Sequence, residues 1–121
     1  MTPEIPLRTC DGLVSVADVA DATARCLLRC VPAAVPGIAF LSGGQAPTAA
    51  SAYLNALHTR FGDKLPWAVT FSFGRAIQQP ALNVWHGDAD NIVAAQQVLR
   101  HRASCDGAAQ RGKYNAEMEP A

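Results

Sequence analysis

Two short apolar runs each end in serine and glycine at the mouth of a helix: GIAFLSGGQ at 37–45 and WAVTFSFGRA at 67–76. Glycine lets a backbone come close to a ligand and present its N–H groups. The positive end of a following helix then favours an anion. Arg75, directly after Gly74, adds a fixed charge and a planar fork of donors matched to phosphate oxygens. Ser42, Gly43, Gly74 and Arg75 are therefore a candidate phosphate cradle shared between two strand ends. A Ser-Gly-Gly turn alone is an ordinary helix entry, and an arginine at a helix start is commonly solvated or paired. The duplication is what favours a ligand.

The remaining chemistry-bearing residues read as structural. Cys10, Cys26, Cys30 and Cys105 include no CxxC pair, and no histidine stands with them at zinc-site spacing. They read as reduced thiols, with no metal and no cofactor. Lys64 and Lys113 read as solvated lysines, and His58 and His101 as residues of helix surfaces. His86 suits a helix end, where the dipole favours a cation. Trp67 and Trp85 read as packing anchors.

The elements that must hold these residues follow from periodicity. Ser15 and Asp18 form a capping box ahead of Val16, Val19, Ala20, Leu27 and Cys30 at helical spacing, with Thr23 on the same stripe, which predicts a helix over 15–30. GIAFL at 37–41, apolar throughout and bounded by proline and glycine, is expected to be a buried parallel strand. A helix starts near Pro47, buries Ala50, Tyr53, Leu54, Leu57 and Phe61, and is expected to end at Gly62. WAVTFSF at 67–73 is the second strand. A short helix from Arg75 is expected to be perturbed or bounded at Pro80. Asp88 or Asp90 caps a last helix that turns Ile92, Ala95, Val98 and Leu99 inward. RGKYNAEMEPA reads as a loose tail.

The order helix, strand, helix, strand, helix, helix contains one βαβ crossover. Two parallel strands do not make a self-sufficient sheet, and parallel sheets are normally covered on both faces. The pattern looks like a slice of something larger. At 121 residues the chain has the length of one domain. Half of it is apolar and 17% is charged, as in globular proteins. Basic and acidic residues balance at ten each, which gives no general pull toward nucleic acid or anionic membrane. With no long apolar run and no basic, apolar leader at the start, a cytoplasmic location is expected.

CVPAAVPGIAFLSGGQ, then LNAL, PWAVTFSFGRA, QQPAL, a tryptophan and a late GKY make the chain resemble the C-terminal part of class I fructose-bisphosphate aldolase. The resemblance runs through most of 15–114, in order and with compatible spacing. It implies an α/β fold, the last two βα units of a (β/α)8 barrel with flanking helices, in which 1–14 is a loop following the missing sixth strand. Residues 15–108 would be the partial barrel, with strands seven and eight, and 109–121 a C-terminal tail. The family cleaves fructose 1,6-bisphosphate to dihydroxyacetone phosphate and glyceraldehyde 3-phosphate through a lysine Schiff base, without a metal. By the resemblance, Ser42, Gly43, Gly74 and Arg75 hold the C1 phosphate, and Ser72 lies beside them on the strand end facing the reaction. A homo-oligomer is implied once the barrel is complete.

The resemblance also marks what is missing. The Schiff-base lysine belongs to the sixth strand, at or just before Met1, and no carboxylate here matches the family's acid/base residues. APTAAS follows SGGQ where acidic residues are usual, and Phe73 stands where tyrosine is common. No catalytic residue is therefore expected in this chain. It would act only with the missing N-terminal barrel portion. The alternatives are a catalytically inactive module that binds a phosphate ligand, or a non-functional remnant.

Overall fold

The computed structural model describes residues 15–41 and 44–120. Helix α1 spans Val16–Cys30 and opens on the predicted capping box: Ser15 Oγ accepts from the Asp18 amide, and Asp18 accepts from the Ser15 amide, both at 3.1 Å. Two orphan N–H groups of the first turn are thereby satisfied. The helix buries Val19, Ala20, Ala24 and Leu27. Val16 and Cys30, expected inward, are exposed, at the two ends of the helix.

Strand β1 (Gly37–Leu41) and strand β2 (Ala68–Ser72) pair in parallel, from Gly37 opposite Ala68 to Leu41 opposite Ser72. Between them runs α2 (Pro47–Phe61), which starts on Pro47, where a missing N–H costs nothing. Gly62 occupies its C-cap but keeps a right-handed backbone, and a single 3-10 turn, Gly62–Lys64, carries the chain on. After β2 comes α3 (Gly74–Trp85), then a 3-10 turn at Ala89–Asn91, then α4 (Ile92–Gln110).

Helix α2 is the hub, touching α1, α3 and α4. Leu54 and Leu57 from α2 meet Val69 and Phe71 from β2, with Trp67, Phe73 and Ala109 around them. Burying a leucine of this kind is worth about 1.5–3 kcal/mol. Trp67 is an anchor as expected, and its Nε1–H donates to the Pro32 carbonyl at 2.8 Å. The described residues cover one sheet face. Val69 and Phe71 are buried and Ile38 and Phe40 half-buried, whereas Gly37, Ala39, Leu41, Ala68 and Ser72 are exposed, Leu41 at 69%.

Several expectations are corrected. Pro80 does not end α3, which runs on for five residues to Trp85 and packs along α4. Trp85, expected to be a packing anchor, is 41% exposed. In α4 the inward face comes later than predicted: Ile92 and Leu99 are exposed, and Arg102, Cys105, Ala108 and Ala109 are buried. Asp88 caps the 3-10 turn through the Asp90 amide, and Asn91, not either aspartate, stands at the N-cap of α4. The tail is also held in place. The Tyr114 amide donates to Asn55 in α2, and a last 3-10 turn, Ala116–Met118, brings Glu119 onto Arg102.

Candidate functional site: the carboxyl ends of the strands

The pairing of Leu41 with Ser72 sets both strands to end at one level, so the turns that follow them open on the same edge of the sheet. Ser72 is the exposed last residue of β2, and Gly74 and Arg75 form the exposed first turn of α3. Three of the predicted cradle residues therefore sit together at one strand end. Ser42 and Gly43 lie outside the described residues. Gly44, next along, has a φ of 94°, a left-handed conformation that glycine adopts without the Cβ penalty.

The two helices beyond these strands begin alike. Ala46 at the N-cap of α2 and Phe73 at the N-cap of α3 make no side-chain capping bond, and neither first turn holds an acidic residue. Helix α1, which does not follow a described strand, has a complete capping box. First-turn N–H groups normally need a side chain, water or a ligand. Here the helix entries at the strand ends have no side-chain capping partner among the described residues, and no acidic residue of their first turns offsets the partial positive charge of the helix end. A Cβ on Gly74 would meet nothing within 4 Å. The glycine is not demanded by packing; what it leaves is open room beside the first amides. Arg75 has no ion-pair partner among the described residues. Helix-end amides and a guanidinium are the kind of donors a phosphate-sized anion accepts from, and neither lysine stands near them. Lys64 is exposed in the turn that enters β2, at the opposite end from Ser72, and Lys113 precedes the Tyr114 tied to mid-α2.

A second polar cluster, missed by sequence reasoning, lies where α4 meets the tail. Arg102, 5% exposed, donates through Nη1 and Nη2 to Glu119 at 2.9 and 2.7 Å, and through Nη2 to Ser51 at 2.8 Å. The fully buried Ser51 donates to Asp106 at 2.6 Å. Hydrogen bonds from Arg102 hold the Glu119 carboxyl below its usual range, whereas burial raises that of Asp106. The Tyr114 hydroxyl donates to Glu119 at 2.9 Å, and burial, then Glu119, push its pKa up to about 12. His101 Nε2 lies 3.5 Å from the buried Cys105 Sγ and 3.7 Å from Glu119. The sequence reading, which placed no histidine with the cysteines at zinc-site spacing, did not single out this pair. The signal was their four-residue separation in HRASC, which puts both on one helix face. His58, likewise not a plain surface residue, bonds the Val69 carbonyl at 2.9 Å.

Parallel strands joined by a crossover helix, with open helix entries beyond their carboxyl ends, put the chain in the α/β class whose ligands sit at that edge. A family model described as glycolytic class-I fructose-bisphosphate aldolase matches residues 5–121. Fructose-bisphosphate aldolase 1 of Caenorhabditis elegans is 50% identical over 103 residues, covering 85% of this chain and 28% of that protein. A probable class 1 aldolase of Xylella fastidiosa is 46% identical over 111 residues, covering 91% and 33%. The solved structure of Plasmodium falciparum aldolase, in complex with TRAP and a small-molecule inhibitor, matches with a TM-score of 0.81 at 44% identity, over 85% of this chain and 29% of that one. The chain belongs to the class-I fructose-bisphosphate aldolase family. It spans about a third or less of the length of these relatives. Among the described residues, no helix is long and apolar enough to cross a membrane.

Proposed function

We propose that this chain is the C-terminal portion of a cytoplasmic Schiff-base fructose-bisphosphate aldolase, and that it supplies the half-site for the substrate's C1 phosphate. Its strands take the place of the seventh and eighth of the barrel. The observation that carries this reading is the edge where Leu41 and Ser72 end together and two uncapped helices begin. The uncovered sheet face, with Leu41 69% exposed, is the side on which the other barrel strands would close.

In this reading the first-turn amides of α3, the Ser72 hydroxyl and the Arg75 guanidinium bind the phosphate of fructose 1,6-bisphosphate or dihydroxyacetone phosphate, together with Ser42 and Gly43. Binding energy at that end, remote from the bond being broken, fixes the ketone where a lysine can attack it. The lysine and the acid/base carboxylates come from the preceding barrel portion, and the completed barrel assembles as a homo-oligomer. Neither Lys64 nor Lys113 forms the imine, because neither stands at the strand ends.

The test is cleavage of fructose 1,6-bisphosphate by the chain alone and by the chain joined to the six preceding βα units of a relative. Activity is expected only in the joined form. Cleavage by the chain alone, or a borohydride-trapped dihydroxyacetone phosphate adduct on Lys64 or Lys113, would overturn the reading. Binding of dihydroxyacetone phosphate by the chain, with no cleavage in the joined form, would favour the inactive binding module.

A further inference from the structure

We infer that His101, Cys105 and Glu119 form a binding site for one zinc-like divalent ion, which staples the C-terminal turn to α4. The site plays no part in the phosphate cradle. His101 and Cys105 share a face of α4 at a four-residue separation, and Glu119 reaches them from beyond the last 3-10 turn. Their ligating atoms all lie within 4.8 Å of one another.

Two of the three ligand separations match the ion closely, and the third, between sulfur and carboxylate, is within 4.8 Å. Tetrahedral zinc with bonds of about 2.0–2.1 Å to nitrogen and about 2.3 Å to sulfur sets those two ligand atoms roughly 3.5 Å apart. The separation of Nε2 from Sγ is 3.5 Å, and that of Nε2 from Glu119 Oε2 is 3.7 Å. A hydrogen-bonded thiol and imidazole could share such a distance, but a carboxylate oxygen closing the third corner makes a ligand set. Three protein ligands leave a fourth position for water.

The surroundings supply what a metal site needs around its ligands. Glu119 is oriented by Arg102 and by the Tyr114 hydroxyl, and its oxygens can accept further partners. Arg102 opposes a cation, and the charge balance answers it: the ion and Arg102 are matched by the Cys105 thiolate, Glu119 and Asp106, whose carboxylate lies 3.9 Å from Arg102 Nε. Cys105 itself is fully buried, so the ion must enter past His101, whose side chain is 40% exposed and lines an open cleft between α3, α4 and the last turn. On binding, the sulfur–metal bond replaces the S–H bond, and the proton leaves to solvent.

The test uses the whole 121-residue chain, reduced and stripped of metal, titrated with cobalt(II). One equivalent is expected to produce a thiolate-to-cobalt absorption in the near ultraviolet, which zinc then abolishes by displacement. The band is expected to persist in a variant carrying Cys10→Ser, Cys26→Ser and Cys30→Ser, to vanish in Cys105→Ser, and to need at least tenfold more cobalt in His101→Ala. Absence of a saturable band in the parent chain, which requires no variant to fold, overturns the site. So does a band that survives Cys105→Ser.

Discussion

Arg102 holds Glu119 through two hydrogen bonds of 2.9 and 2.7 Å, so that a side chain deep in α4 fixes a residue two places from the end of the chain. The side chains of the pair are 5% and 15% exposed. In that setting the charges are shielded little by solvent, and removing one leaves the other buried without its counterpart.

Glu119→Gln, studied in the presence of a chelator, is therefore expected to destabilise the fold by about 3–5 kcal/mol, the usual cost of breaking a buried pair from one side. Urea unfolding followed by circular dichroism checks it. A midpoint equal to that of the parent chain would show that the last turn is not docked in solution.

Arg75→Ala is expected to leave stability unchanged, because Arg75 is exposed and has no ion-pair partner among the described residues. It should weaken binding of dihydroxyacetone phosphate in the joined form by roughly 10- to 100-fold, since a hydrogen bond to a charged group contributes about 1.5–3 kcal/mol. Calorimetric titration reads the affinity directly. An unchanged value removes Arg75 from the cradle.

Trp67→Phe keeps a ring in the core and deletes the Nε1–H that reaches the Pro32 carbonyl. Pro32 is exposed, so water can take the freed acceptor, and the loss is expected to cost about 0.5–1.5 kcal/mol. The loss should show as a lower denaturation midpoint with an unchanged slope.

The ordinary pKa of Asp18 is 3.8, and hydrogen bonds from the Ser15 side chain and backbone lower it. A carboxyl depressed in the folded state stabilises that state above its ordinary value and loses the contribution as pH falls through the depressed one. The capping box should therefore loosen below pH 3.8. In Ser15→Ala, the carbon resonance of the Asp18 carboxyl should titrate at higher pH than in the parent chain; coincident titrations would mean that Ser15 does not hold it.

Tyr114 works in the opposite sense. Its phenol donates to Glu119 and its pKa is raised to about 12 from the ordinary 10.0, while burial also raises that of Tyr53. The neutral phenol favours the fold fully below pH 10.0, and that contribution is lost as pH rises toward 12. Ultraviolet titration should find neither tyrosine ionising at its ordinary pH until the chain unfolds.

Local signals carried well into the structure. The Ser15–Asp18 box, the strand at 37–41 and the helix opening at Pro47 depend on neighbours within a turn or two, and all stand where periodicity and capping put them, although the strand, expected to be buried, has Gly37, Ala39 and Leu41 exposed. Pro80 and the inward face of α4 do not, because each is decided by a distant element. Packing along α4 carries α3 through its proline, and α2 selects Arg102, Cys105 and Ala109 over Ile92 and Leu99. The placement of Ser72, Gly74 and Arg75 around one strand end was legible from an apolar run closing on glycine and arginine. The docking of the tail was not, since nothing in RGKYNAEMEPA signals that Arg102 waits for Glu119.

The half-covered sheet has a colloidal consequence. Gly37–Leu41 and Ala68–Ser72 pair only with each other among the described residues, so each strand offers an outer row of backbone donors and acceptors beside exposed apolar side chains. Open edges of this kind recruit further strands. With both outer edges open, the chain is expected to self-associate as its concentration rises, at a threshold that an added strand along either edge would lift.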